Sequence, residues 1–194
     1  MAQFSKIASA TALFGAGALM MSVTAQAETS ITTDFTATIA YEGGCNIQIP
    51  NIVFNNGNAV LPSQIEGNDE VAQQKVELTL SGCQGMGLTP KIGLTGPTNN
   101  DTGTELYLDT AGSETTGYGI LLATDGNAIF ASNENLAAHK EILVKSGWDT
   151  QTDLTTLDGT IPLIAILSCG TPCSQGGRIG GELVANVTFE FQYD

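Results

Sequence analysis

The chain reads as an all-β protein, an antiparallel sandwich or barrel, and three observations predict it. Residues 183–193 alternate apolar and polar side chains over eleven positions, with Val184 alone out of step. Shorter alternating runs recur upstream, separated by turns rich in Gly, Pro, Asn and Asp. No long helical periodicity is present. Period-two alternation puts every second side chain on one face, so each run has a face to bury. Many short strands with regular turn signals achieve this by stacking two sheets or by closing one sheet on itself.

Residues 1–27 are set apart as a targeting segment. A short, weakly positive start ending at Lys6 is followed by an apolar run over residues 7–23 and by Ala25-Gln26-Ala27. That order is a cleavable signal peptide with a small-x-small cleavage site after Ala27. The run lacks a charged stop on its far side and is diluted by Ser, Thr and Gly, which argues against a membrane anchor. The remaining 167 residues suffice for one domain with a single core. None of their apolar runs approaches the roughly 18 residues of a membrane helix, so no membrane insertion is expected after signal removal. With Lys6 gone, five Lys and Arg face 20 Asp and Glu, a formal charge of −15. Such a field repels phosphate backbones and anionic lipids, so no nucleic-acid partner is expected.

The elements follow in order. Ile31, Thr33, Phe35, Ala37, Ile39 and Tyr41 share one parity in a first alternating stretch that ends at Gly43-Gly44. Alternation alone leaves open whether this strand serves its own domain or another. Residues 47–54 are apolar but interrupted by Pro50, which suits an edge or a bulge because proline has no N–H to donate. Residues 75–80 alternate and run into Cys83. Further strands are expected at 90–94, 105–109, 118–123, 141–145 and 161–167, and residues 133–140 suit one short helical turn. Asn55-Asn56-Gly57, Gly96-Pro97, Thr102-Gly103, Asp125-Gly126, Asp158-Gly159 and Gly176-Gly177 punctuate them as turns. Neither an internal repeat nor a linker divides the chain.

Cys45, Cys83, Cys169 and Cys173 all follow the signal segment, and an even count in an exported chain reads as disulfides. Four cysteines allow three pairings. Spacing favours Cys45–Cys83, which closes a loop of 37 intervening residues, and Cys169–Cys173, which encloses only Gly170-Thr171-Pro172. The second bond pins a turn. A zinc site needs paired cysteines with histidine nearby, whereas His139 stands alone, so no metal or cofactor is expected.

Catalytic constellations are equally sparse. His139 lies beside Lys140 in a polar stretch, without a Gly-x-Ser-x-Gly elbow to complete a triad. Neighbouring carboxylates such as Asp69/Glu70 and Asp149/Asp153 arise readily among 20 acidic residues and read as solvated surface. The Gly-rich runs lack the helix and lysine of a phosphate loop. The protein is therefore expected not to be an enzyme. Trp148, the only tryptophan, reads as a core or interface residue rather than a sugar-stacking platform. The sequons at Asn100 and Asn186 read as coincidence, the second because a glycan there would disrupt a strand.

Three local patterns, taken in order, resemble a known family. Residues 76–83, Val-Glu-Leu-Thr-Leu-Ser-Gly-Cys, look like its second-cysteine strand. Gly117-Tyr118-Gly119-Ile120-Leu121-Leu122 followed by Asp125-Gly126 resembles its Gly-x-x-Ile-x-hydrophobic strand and turn. Residues 187–194, Val-Thr-Phe-Glu-Phe-Gln-Tyr-Asp, resemble its C-terminal strand with a penultimate tyrosine. Together with the signal segment, the alternating N-terminal stretch and Cys45, these resemble the chaperone–usher pilins, the subunits of type 1 and P pili.

The resemblance implies an incomplete immunoglobulin-like sandwich over residues 44–194, completed by a donor strand from a neighbouring subunit. Residues 28–43 would be the donor extension, with Ile31, Thr33, Phe35, Ala37 and Ile39 as donor side chains. Leu183, Ala185, Val187, Phe189, Phe191 and Tyr193 would lie on the strand facing the groove or the assembly chaperone. Implied partners are neighbouring pilus subunits, a periplasmic chaperone and an outer-membrane usher, and the implied destination is a fimbrium on the bacterial surface, where it contributes to adhesion. Two departures stand out: Ala37 occupies the region where the family commonly has glycine, and Cys169 and Cys173 lie beyond the usual pair. The alternative function is a single-domain tip adhesin, or a sandwich that binds carbohydrate or a host protein.

Overall fold

The computed structural model describes residues 33–39, 42–171, 173 and 177–194. The expected signal segment and Ile31 lie outside them. The described residues from Ile39 onward belong to one compact unit, and residues 33–38 to another. Thr33, Phe35, Ala37 and Ile39 carry no assigned strand.

Among the described residues nine strands are present: β1 (Gly44–Gln48), β2 (Gln73–Gln84), β3 (Pro90–Thr95), β4 (Thr98–Asn99), β5 (Leu106–Tyr107), β6 (Gly119–Thr124), β7 (Glu141–Leu143), β8 (Gly159–Ser168) and β9 (Thr188–Tyr193). They form a six-stranded sheet in the order β1-β2-β8-β6-β5-β4 and a three-stranded sheet in the order β7-β3-β9. Every pairing is antiparallel. The fold is an all-β, immunoglobulin-like sandwich.

Side-chain parity explains why the two sheets meet. In β2 the apolar set Val76, Leu78 and Leu80 points one way while Lys75, Glu77 and Thr79 point the other. The register sets Val76 opposite Leu163 and Leu78 opposite Ile161, so the buried faces of β2 and β8 coincide. The smaller sheet answers with Ile92 of β3 opposite Ile142 of β7. Leu78, Leu80, Ile92, Ile142 and Ile161 are all essentially inaccessible to solvent and join one core. Each such side chain contributes roughly 1.5–3 kcal/mol through removal from water.

Local breaks in the pattern have local causes. Cys83 lies three residues after Leu80, a spacing that should turn it outward. Gly82 adopts φ +61°, a left-handed conformation open to glycine. This extra residue reverses the parity and sends Cys83 inward, where its N–H donates to Asp158 Oδ1 at 2.9 Å. The edge strand β1 stops at Gln48, just ahead of Pro50, as the missing N–H requires. The expected helical turn is α2, Leu136–His139, which follows α1, Pro62–Glu66. Asn135 caps α2 by accepting N–H bonds from Ala137 and Ala138 at 3.0 and 3.1 Å. The sequence reading did not anticipate α1, whose single turn is too short to display a periodicity. Pro62 opens it, and Gln64 Oε1 accepts from the Leu61 N–H at 2.8 Å.

Two expected elements are corrected: residues 49–54 carry no strand, and the last strand is shorter than its alternation. The alternating stretch 183–193 is a strand only from Thr188 to Tyr193. Upstream, the backbone turns to the segment 109–116: the Val184 carbonyl accepts from the Asp109 N–H at 2.9 Å, and the Glu182 carbonyl from the Glu114 N–H at 2.8 Å. The Val184 N–H donates to Ser113 Oγ at 2.9 Å. These partners belong to a loop, so no ladder continues. Both disulfides expected from spacing are formed, Cys45–Cys83 tying β1 to β2 and Cys169–Cys173 stapling the loop after β8.

Candidate strand-binding groove

Each sheet ends in a strand with an unpaired edge. Among the described residues β1 pairs only with β2, and β9 pairs only with β3. A furrow separates these edges. At one end it runs between residues 43–48 and the side chains of Phe189 and Phe191. It continues as a groove of about 930 Å³, with Ile49, Ile52 and Phe54 on one wall and residues 180–187 on the other. Ile120 and Leu122 of β6 with Ala165 and Leu167 of β8 line its floor. Because those residues belong to the inward face of the larger sheet, the furrow opens directly onto the core.

Neither of these walls is a strand. On the first, Pro50 interrupts pairing. Asn55, Asn56 and Gly57 then reverse the chain at φ +46°, +53° and +82°, before Pro62 starts α1. Asn and Gly tolerate this left-handed region better than other residues. On the second, the bonds to residues 109–116 hold the backbone in place and leave alternate side chains free to face inward.

Leu183, Ala185, Val187 and Phe189 line this groove, and Phe191 lines its neighbouring end. All five are half-buried and pack against the core. Tyr193 differs, being 41% exposed, with its ring centroid 6.4 Å from that of Phe191. Sequence reasoning missed the opposite wall. It assigned residues 47–54 to a strand, and its one clue was Pro50, which marks an edge.

The groove is poor in charge. The ion pair of Arg178 Nη2 with Glu66 Oε1, at 2.7 Å, lies outside its lining. Ionisable groups with displaced affinities lie elsewhere. The Tyr107 hydroxyl donates to the Leu136 carbonyl at 2.8 Å, and burial, aided by the Glu105 carboxylate, pushes its pKa up to about 12. The half-buried Lys91 is raised chiefly by its hydrogen bond to Asp194, which ties the chain end to β3. Asp153 is lowered because it accepts the Thr155 N–H at 2.9 Å.

The remaining candidates have structural roles or none. Trp148 packs against the core and donates its indole N–H to the Leu88 carbonyl at 2.9 Å, as expected of a core residue. His139 is exposed at the end of α2. Asp149 and Asp153 accept backbone N–H groups in their own turns. Among the described residues no three His, Cys, Asp or Glu side chains cluster as a metal site, and no helix is long and apolar enough to cross a membrane.

No family model matches the chain, and no curated protein matches it. Among solved structures, the chain is similar to the P pilus rod subunit PapA, with 19% sequence identity and a TM-score of 0.46 over 84% of this chain and 100% of that one.

Proposed function

We propose that the protein is a structural subunit of a surface fimbrium, assembled by β-strand addition, and that its groove receives the N-terminal stretch of a neighbouring subunit. The observation that carries this reading is a furrow that begins between two unpaired strand edges and continues as an apolar groove open to the core. An added strand offers backbone N–H and C=O groups to such edges while alternate side chains fill the floor. Length supports the occupant. Residues 183–191 present five inward positions over nine residues, and residues 31–39 offer Ile31, Thr33, Phe35, Ala37 and Ile39 over the same span. An unfilled groove exposes strand edges and apolar surface, a state prone to aggregation. A periplasmic chaperone protects the subunit by occupying the groove until an outer-membrane usher passes it to the next extension. The fimbrium then displays the subunit at the cell surface and contributes to adhesion.

The test is expression in a periplasm together with the cognate chaperone and usher. The full chain is expected to yield a ladder of SDS-resistant polymers that collapses on boiling. A chain lacking residues 28–40 is expected to fold with its chaperone and to yield no ladder. An undiminished ladder from that deletion refutes the donor assignment.

A further inference from the structure

Val184 is the one residue out of step in the alternation of 183–193, and the loop 109–116 supplies its partner. The Val184 N–H donates to Ser113 Oγ at 2.9 Å, and the Ser113 hydroxyl donates to the Val184 carbonyl at 3.2 Å. One hydroxyl thus serves both backbone groups that a neighbouring strand would serve. The loop is shaped to present it. Asp109 Oδ1 accepts the N–H groups of Ala111 and Gly112 at 3.1 and 3.2 Å, a local turn that brings Ser113 back beside Val184. The Asp109 N–H reaches the same Val184 carbonyl at 2.9 Å. Gly112 passes close to the Val184 side chain, where an added Cβ would stand 3.6 Å from Val184 Cβ. Leu183 and Ala185, on either side of Val184, line the groove. This part of the wall is not a strand, so a few bonds to a loop hold it where a ladder would otherwise do so.

We propose that Ser113 is a positioning residue for the groove: its hydroxyl fixes the wall at Val184, keeps Leu183 and Ala185 against an incoming strand and slows that strand's release. This inference rests on the strand-addition reading and adds to it a residue that lies outside the groove lining and acts through Val184. For a seated strand to leave, the wall has to draw away from the loop, and that movement breaks both bonds at Ser113. A wall already held in place also spares an arriving strand the cost of ordering it. Without the hydroxyl the Val184 N–H loses its acceptor, while the Val184 carbonyl keeps the Asp109 N–H.

The test follows release of a fluorescent peptide, with the sequence of residues 28–43, from the mature chain refolded around it. Ser113→Ala is expected to release the peptide about fivefold faster, the worth of one net hydrogen bond. Ser113→Thr keeps the hydroxyl and is expected to release at close to the wild-type rate. Asp153→Ala weakens a turn outside the groove lining and should also leave release unchanged. Equal acceleration by Ser113→Ala and Asp153→Ala would mean a general loss of stability and would overturn the proposal, as would no acceleration by Ser113→Ala or no rescue by threonine. Shortened peptides add a positional readout. Leu183 is the last of the inward positions on this wall, so truncation at one end of the peptide should erase the difference between wild type and Ser113→Ala, and truncation at the other should preserve it. The same outcome from both truncations overturns the assignment. If the wild-type chain retains no peptide at all, the groove reading itself fails, and the positioning role falls with it.

Discussion

Replacing Cys45 and Cys83 together by serine removes the bond that holds the edge strand β1 to β2. The paired residues are 38 apart in sequence. On the chain-entropy account, opening a loop of that length restores to the unfolded ensemble freedom worth about 4 kcal/mol at 25 °C. The second bond provides an internal standard, since its residues are only 4 apart. The same expression assigns it roughly 2 kcal/mol, and the difference of about 2 kcal/mol depends only on the ratio of loop lengths. Urea unfolding of the two double-serine variants, compared with wild type, measures both. With a slope of about 2 kcal/mol per molar, the Cys45/Cys83 variant should unfold about 2 M earlier and the Cys169/Cys173 variant about 1 M earlier. Hydrogen exchange supplies the local signature, because the amides of Asn46, Ile47 and Gln48 lose their tether while those of β8 do not. Equal midpoint shifts for the two variants refute the loop-length reasoning. Unchanged exchange in β1 refutes the tethering role.

Two further predictions concern titration. Tyr107 holds its proton in the folded protein to about pH 12, against about 10 when unfolded, so its contribution is complete below pH 10 and fades as the pH rises through 12. Tyr107→Phe should cost about 1 kcal/mol at neutral pH through its lost hydrogen bond and should lack this alkaline loss, so urea midpoints of the two proteins should converge between pH 10 and 12. Asp153 has its folded pKa lowered, so its contribution is present above about pH 4, the ordinary carboxylate value, and disappears as the pH falls through the folded value. Asp153→Ala should be the less stable protein at pH 7 and equal to wild type at the acid end. A gap that persists there counts against the capping role.

Much of the fold was legible in the sequence because its signals are local. Val76, Leu78 and Leu80 alternate within one strand, and the register opposite Ile161 and Leu163 merely confirms their shared face. The turns at Asn55-Asn56-Gly57 and Asp125-Gly126 contain the residues that tolerate their positive φ. The disulfide pairs followed from spacing. The end of β9 was not legible. Residues 183–187 continue the alternation of 188–193, yet their hydrogen bonds go to a loop more than sixty positions earlier, as in Ser113 to Val184. The wall opposite carried only Pro50 as a clue, and Arg178 had no local motif at all, since its partners Glu66, Gly117 and Tyr118 lie far away along the chain.

The sequence by itself thus determined which side chains are apolar on one face, where the chain turns and which cysteines meet. Those properties depend on neighbours within a few residues, or on a single closed loop. Only the tertiary structure decided which strands became edges, and that a furrow between two of those edges leads into an apolar groove open to the core. A strand becomes an edge because no other strand reaches it, and that depends on the arrangement of the whole sandwich.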